Sequence, residues 1–272
     1  MSPGEELRAV GKVNEIVLAL QIAPMLVEER RRRGRGRPPK YRRWELFALC
    51  IVKELLGLSF DKVAKLAPFL IGKSPDDNTV WRAYRRWGRE AGRAARVIAD
   101  LVSRAEKPKL LAVDSTGIRT YDGRSFKAHF LVNLETDAVE AAVVTEPRTS
   151  DAKGLRILLS GLRRGLAVLL ADSAYYGRPL FELSAERGIF LFSKPRKPSR
   201  RGSRRGWWRR YDEMFEGLKQ LYRRRGGVER APASLKLRKR WVTWFKSMEA
   251  LNSMVKWFSL ANNLVLLAKA LR

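Results

Sequence analysis

Two chemical resources are almost missing from this chain. Of its 272 residues, one is cysteine and one is histidine. Cys50 alone cannot close an internal disulfide; it falls in an apolar helical pattern, where a small buried thiol and a reducing compartment are expected. With His129 equally alone, and read as a strand-surface residue, a zinc site built from histidine and cysteine is excluded. Any divalent metal must rest on carboxylates and would be a hard cation, Mg2+ or Mn2+. Acids are scarce too, 28 against 56 lysines and arginines, for a formal net charge of +28. Such an excess favours a polyanion as partner, because neutralising phosphates releases condensed counterions. A basic structural or RNA-binding protein would share that charge. Long apolar runs are lacking as well. "IVLALQIAPMLV" is broken by Gln21 and Pro24, and "LANNLVLLAKAL" by Asn262 and Asn263, short of the roughly 18 to 20 residues a spanning helix needs. No membrane partner and a cytoplasmic, nucleoid-associated location are expected.

What is present divides in two. Residues 1–106 carry helical spacing, with Pro24 expected to break the first helix. A basic Gly/Pro stretch at 30–43 reads as a linker or arm; within it Arg35-Gly36-Arg37-Pro38 has the form of a minor-groove hook. Two helices follow around Gly57, with Ser59 capping the second. Ser74 and Pro75 then predict the start of a longer basic helix. The succession resembles a helix-turn-helix, with Arg82, Arg85 and Arg86 near the front of a DNA-reading helix. A plain helical bundle with basic faces fits the same pattern.

Over 107–272 the period changes. "KLLAVDSTG", "SFKAHFLVNLET" and "AVEAAVVTEP" read as three strands, followed by a helix, the strand "LAVLLADSAYYG", a helix and the strand "IFLFSKP". That succession predicts a mixed α/β sheet flanked by helices. A basic loop near 196–210 carries Trp207 and Trp208, and helices are expected from there to the C-terminal end.

Two of the apolar strands end in the same way, in Asp and Ser. Buried parallel strands deliver such acids to a strand end, where ligand crevices lie. Asp114 and Asp172 held close would repel unless a cation bridged them. A third acid, Glu229, stands in the arginine-rich "YRRRGGVERAPASLK". Gly226, Gly227 and Pro232 around it predict a helix ending near Arg225, with Glu229 in the junction. Glu213 and Glu216 lie nearby.

With these residues in hand, the chain resembles the ribonuclease H-like catalytic core of insertion-sequence DDE transposases. In that family one Asp closes the first strand, a second closes the fourth, and a Glu lies on a later helix. Asp114 and Asp172 match the first two. Tyr222, Arg225, Glu229 and Lys236 match the family's Tyr-x2-Arg-x3-Glu-x6-Lys signature at every spacing. The resemblance covers about 107–265. It implies an α/β, ribonuclease H-like domain after an all-helical DNA-binding region. It also implies Asp114, Asp172 and Glu229 as catalytic metal ligands for two Mg2+ or Mn2+ ions, and double-stranded DNA as partner. Tyr222, Arg225 and Lys236 would contact DNA, as would Trp207 and Trp208 by stacking. Hydrolysis at terminal inverted repeats and strand transfer by a homodimer are the expected activity. A catalytically decayed or domesticated, non-enzymatic DNA-binding protein is the alternative.

Overall fold

The computed structural model describes residues 12–28, 39–103, 109–162, 165–196, 206–229 and 242–272, with only the backbone of Glu229 and Val242. Arg35, Arg37 and Lys236 lie outside the described residues. The chain forms two compact units, one within 1–102 plus 249–272 and the other within 103–248.

The first unit is helical: α1 (Val13–Leu26), α2 (Arg43–Leu56), α3 (Phe60–Ile71), α4 (Asp77–Arg86), α5 (Gly88–Val102) and α10 (Met248–Ala270). Caps decide several boundaries. Gly57, at φ 67°, ends α2 in the left-handed conformation, and the Ser59 side chain accepts from Lys62 N to start α3. Asp76 rather than Ser74 caps α4, accepting from Thr79 N at 2.6 Å. An ionised carboxylate bonds an N–H more strongly than a hydroxyl does and also complements the helix dipole. The long basic helix is two helices, α4 and α5, divided at Trp87. The first helix runs two residues past Pro24.

The C-terminal helix, which the sequence attaches to the sheet region, belongs with this bundle. Its Trp257 is fully buried, its ring 4.6 Å from Phe47 and 5.5 Å from Tyr84, and its Nε1 donates to Tyr84 O at 2.8 Å. A helix apolar on most faces must be covered on most faces, and the bundle interior supplies that cover. Buried alongside are Lys53, Glu54 and the Tyr84 hydroxyl, bonded to one another. Charges taken from water persist when paired in this way. Among the described residues no helix is long and apolar enough to cross a membrane.

The second unit is a sheet of β1 (Lys109–Thr120), β2 (Ser125–Asn133), β3 (Val139–Thr145), β4 (Ala167–Ala171) and β5 (Ile189–Ser193). Their order is β3-β2-β1-β4-β5. β1–β2 and β2–β3 are antiparallel, while β1–β4 and β4–β5 are parallel. This is the mixed sheet flanked by helices that the succession of strands and helices predicts. α6 (Asp151–Ser160) and α7 (Arg178–Ala185) cover one face through Leu155, Leu158, Leu159 and Leu180, packed on Leu111, Val113, Leu169 and Leu191. α8 (Trp207–Gly217) lies against β5, where Phe215 stacks on Phe192 at 5.0 Å. The Tyr211 hydroxyl accepts from Ser193 N and donates to Ser193 O. That satisfies backbone groups that an edge strand leaves open.

Two expectations shift. β1 continues six residues past Asp114, because its antiparallel pairing with β2 persists to Arg119–Ser125. The segment holding Trp244 is not helical: β6 (Val242–Thr243) pairs in parallel with Arg119 and Thr120.

One close approach ties α6 to the sheet. A Cβ at Gly154 would collide with the His129 ring on β2, a contact to a planar ring with no flexible end to yield. Gly154→Ala is therefore expected to lower stability by about 1–3 kcal/mol through overpacking. Gly217→Ala, where nothing lies within 4 Å, should be neutral. Urea unfolding midpoints of the two variants measure the difference.

Candidate active site

The parallel register of β1 and β4 builds the site. Ala112 pairs with Leu170, and Asp114 and Asp172 each stand two residues further along. Neighbouring strands lie about 4.8 Å apart and side chains alternate in face, so both acids leave the sheet side by side and on the same side. Asp172 is the first residue past β4, and its Oδ1 accepts from Ala174 N at 2.7 Å to start a 3-10 helix, Ser173–Tyr175. Asp114, further from its own strand end, has a side chain 29% exposed.

Phe192, in register with Leu170, shows what covers this face. Its ring meets Tyr222 at 6.3 Å. Tyr222 sits on α9 (Lys219–Arg223), which gives way to a 3-10 helix at Arg224–Glu229. The α-helix thus ends just before Arg225, ahead of the two glycines. Arg225 returns to the sheet, with Nη1 3.9 Å from Asp114 Oδ1; this buried nitrogen makes no hydrogen bond among the described residues. Burial raises the Tyr222 phenol above its ordinary value; the Arg225 charge opposes the rise, and the Asp172 and Asp114 charges add to it. Four of the residues singled out in the sequence, Asp114, Asp172, Tyr222 and Arg225, therefore share one face. Glu229 ends the 3-10 helix on the same segment.

Residues 105–253, more than half of the chain, match the family model of the transposase DDE domain. The chain belongs to the DDE transposase family. Among solved structures, it is similar to the Mos1 strand transfer complex at 13% identity, over 78% of this chain and 79% of that one, with a TM-score of 0.26. It is also similar to the Mos1 mariner paired-end complex with Mn at 14% identity, over 78% and 80% of the two chains, with a TM-score of 0.26. No curated protein matches.

DDE transposases generally use divalent metals, and the donor chemistry here fits a hard cation. Asp114 and Asp172 offer neighbouring carboxylate oxygens, the donors a hard cation takes. Their partial compensation by Arg225 marks a place where positive charge is needed. Among the described residues no group of three His, Cys, Asp or Glu side chains is placed to hold a metal ion; the two aspartates form a pair that Glu229 would complete.

The other sequence candidates are scattered. Trp207 and Trp208 open α8 rather than sit in a loop, and pack edge-on to each other at 4.7 Å. Trp208 meets Tyr176 at 4.9 Å and Trp207 meets Phe181 at 5.3 Å. The half-exposed Trp207 borders a groove of about 370 Å³ between α7, β5 and α8, with Arg210 as the one cation lining it among the described residues. Glu213 and Glu216 pair with Arg209 and Lys219 on exposed helix surface. Arg82, Arg85 and Arg86 belong to the helical unit and fall in the C-terminal half of α4, with Arg85 paired to Glu249 at 3.2 Å. The division at Trp87 moves them from the front of a reading helix to its end.

The sequence did not single out what lies under Asp114. Its neighbour Ser115 faces the opposite side and donates to Asp151 Oδ1 at 2.8 Å, while Lys127 Nζ reaches the same oxygen at 3.2 Å. His129 is not at the surface. It is fully buried opposite Ser115, with Nε2 2.9 Å from Thr145 Oγ1 and Nδ1 3.8 Å from Asp151. Tyr175, also buried, is pushed up by desolvation and then by the charges of Asp151, Asp114 and Asp172. Asp151 opens a helix after a Ser150 cap; in sequence that looks like helix initiation, and only the fold brings it beneath Ser115.

Burial lowers the His129 pKa to about 4, with Asp151 acting upward and Lys127 downward. The folded chain thus holds His129 neutral where an unfolded chain, near 6.5, would protonate it. The contribution is present above about pH 6.5 and is lost as pH falls toward 4, about 2 kcal/mol by pH 5. The loss of unfolding free energy between pH 7 and pH 5 should be smaller by that amount in His129→Gln, as measured by urea titration at both pH values.

Proposed function

We propose that this chain is an active transposase that cuts DNA at the terminal inverted repeats of an insertion sequence and joins the freed 3′-hydroxyls to target DNA. The observation that carries the reading is the register match of Asp114 and Asp172 at the crevice between neighbouring parallel strands, on the face that Arg225 and Tyr222 cover. Asp114, Asp172 and Glu229 would hold two Mg2+ or Mn2+ ions. Bound there, such ions supply Lewis-acid activation of the attacking hydroxyl and charge neutralisation on the leaving oxygen. The chain's own residues do the positioning. Arg225 lies beside Asp114 and would contact a DNA phosphate near the cut, as would Lys236, with Tyr222 helping to position the DNA backbone. Trp207 and Trp208 would offer aromatic surface to DNA ends, and Arg35, Arg37, Arg82, Arg85 and Arg86 would bind DNA phosphates. The +28 net charge suits a protein that holds two DNA segments, as a homodimer handling paired ends must, in the nucleoid of a cytoplasm.

A second reading has one observation in its favour. The α-helix gives out at Arg223, and Glu229 is reached through a 3-10 segment, a less rigid mount for a ligand. A decayed or domesticated copy would bind DNA without cutting it.

Cleavage and strand transfer on a plasmid carrying the gene with its native flanks separate the two. Wild type should excise and join DNA with Mg2+ present. Asp114→Asn, Asp172→Asn and Glu229→Gln should each fall to background while still binding the DNA. Activity persisting in all three variants would refute the catalytic assignment. Binding by wild type without any cleavage would establish the second reading.

A further inference from the structure

The hairpin formed by β1 and β2 ends in an exposed aromatic pair that the site described above does not use. Tyr121, just past β1, is 56% exposed, and Trp244, just past β6, is 72% exposed. Their rings stack at 3.8 Å with an interplanar angle of 22°. The backbone already fixes this junction. Arg119 and Thr120 pair with Val242 and Thr243, and Tyr121 N donates to Thr243 O at 3.1 Å. The rings are therefore not required as a clasp. One face of Trp244 is covered by Tyr121, and most of the indole remains in water.

The surroundings are positive. Asp122 is held by Arg124 at 2.7 Å, and the charge of Glu146 also acts on Arg124. Arg119 and Lys246 are exposed and have no ion-pair partner among the described residues. An aromatic face with a cation two residues from each of its rings along the chain, Arg119 from Tyr121 and Lys246 from Trp244, suits a nucleobase and its adjoining phosphates. Tyr121 stands seven residues beyond Asp114 along the chain, one past the end of β1. That is at most about 23 Å, or about seven base pairs at the 3.4 Å spacing of duplex DNA.

We infer that the Tyr121–Trp244 stack is a base platform: it takes an unstacked base of DNA flanking the reacting phosphate, with Arg119 and Lys246 on the backbone. The inference rests on the DNA-processing reading, and binding rather than cleavage tests it. Two fluorescein-labelled duplexes of roughly 30 base pairs, about three helical turns, serve as probes. One is fully paired; the other has a central two-nucleotide bubble containing 2-aminopurine. Trp244→Ala should weaken binding to the bubble duplex by about tenfold and to the paired duplex by less than about twofold. Wild type should quench the 2-aminopurine; Trp244→Phe should retain part of that quenching, Trp244→Leu should lose it, and Phe69→Ala, at an exposed ring of α3, should keep it. Unchanged affinity in Trp244→Ala, or equal loss on both duplexes, overturns the platform. Should Trp244→Ala melt early, the wild-type, Trp244→Phe and Trp244→Leu quenching decides: no quenching by wild type, or quenching kept in full by Trp244→Leu, also overturns it. Asp114→Asn should keep both affinities and the quenching, so a failure of catalysis and a failure of the platform give different results.

Discussion

Two like charges placed side by side are the constraint around which this sheet is organised. The parallel register of β1 and β4 sets Asp114 and Asp172 level on one face. In water that closeness would cost little, but beside a covered sheet face it must be offset. The same face receives the Arg225 guanidinium, brought there by a segment that leaves α9 through a tighter helix. Parallel pairing also explains why the acids reach the crevice at all. A crossover helix returns each strand in the same direction, so successive strand ends gather at one edge.

Consecutive residues of a strand face opposite ways, and the chain uses both. Asp114 looks toward Arg225. Ser115 looks toward α6, where Asp151 binds its hydroxyl and Lys127 holds Asp151. His129, neutral and sealed, fills the space that Gly154 leaves for its ring. The upper face presents the two aspartates proposed as metal ligands; the lower face pins the strand that carries Asp114. A carboxylate is only as well placed as its backbone, and here the backbone is held by a polar network one residue away.

The order of strands and helices was readable because each apolar run has the length and flanking turns of a buried strand, from "LLAV" to "IFLF". Asp114 and Asp172 were readable for the same reason, as acids ending such runs. The full length of β1 was not. Gly117, Arg119 and the polar residues around them carry no strand signal of their own, and only pairing with β2 keeps them extended. His129 was misplaced at the surface because alternation gives a face but not what covers it, and α6 covers that face. The destination of α10 was hidden too: an apolar helix declares that it is buried, not which core it enters. Trp244 followed a similar course, since its neighbours "WVTWF" suit either state and β1 decides for a strand.

The Arg225 contact has a thermodynamic side. Small metal-dependent domains commonly cannot fold until an ion neutralises their ligands, so that binding energy is also folding energy. Here a cation carried by the chain already stands 3.9 Å from Asp114. Such a cation offsets part of the charge on Asp114 from within the chain. Under the proposed function, an arriving divalent ion would compete with that internal tenant and bind less tightly by whatever the contact contributes. A guanidinium displaced from the carboxylate would then be left free beside it, positioned for an incoming phosphate.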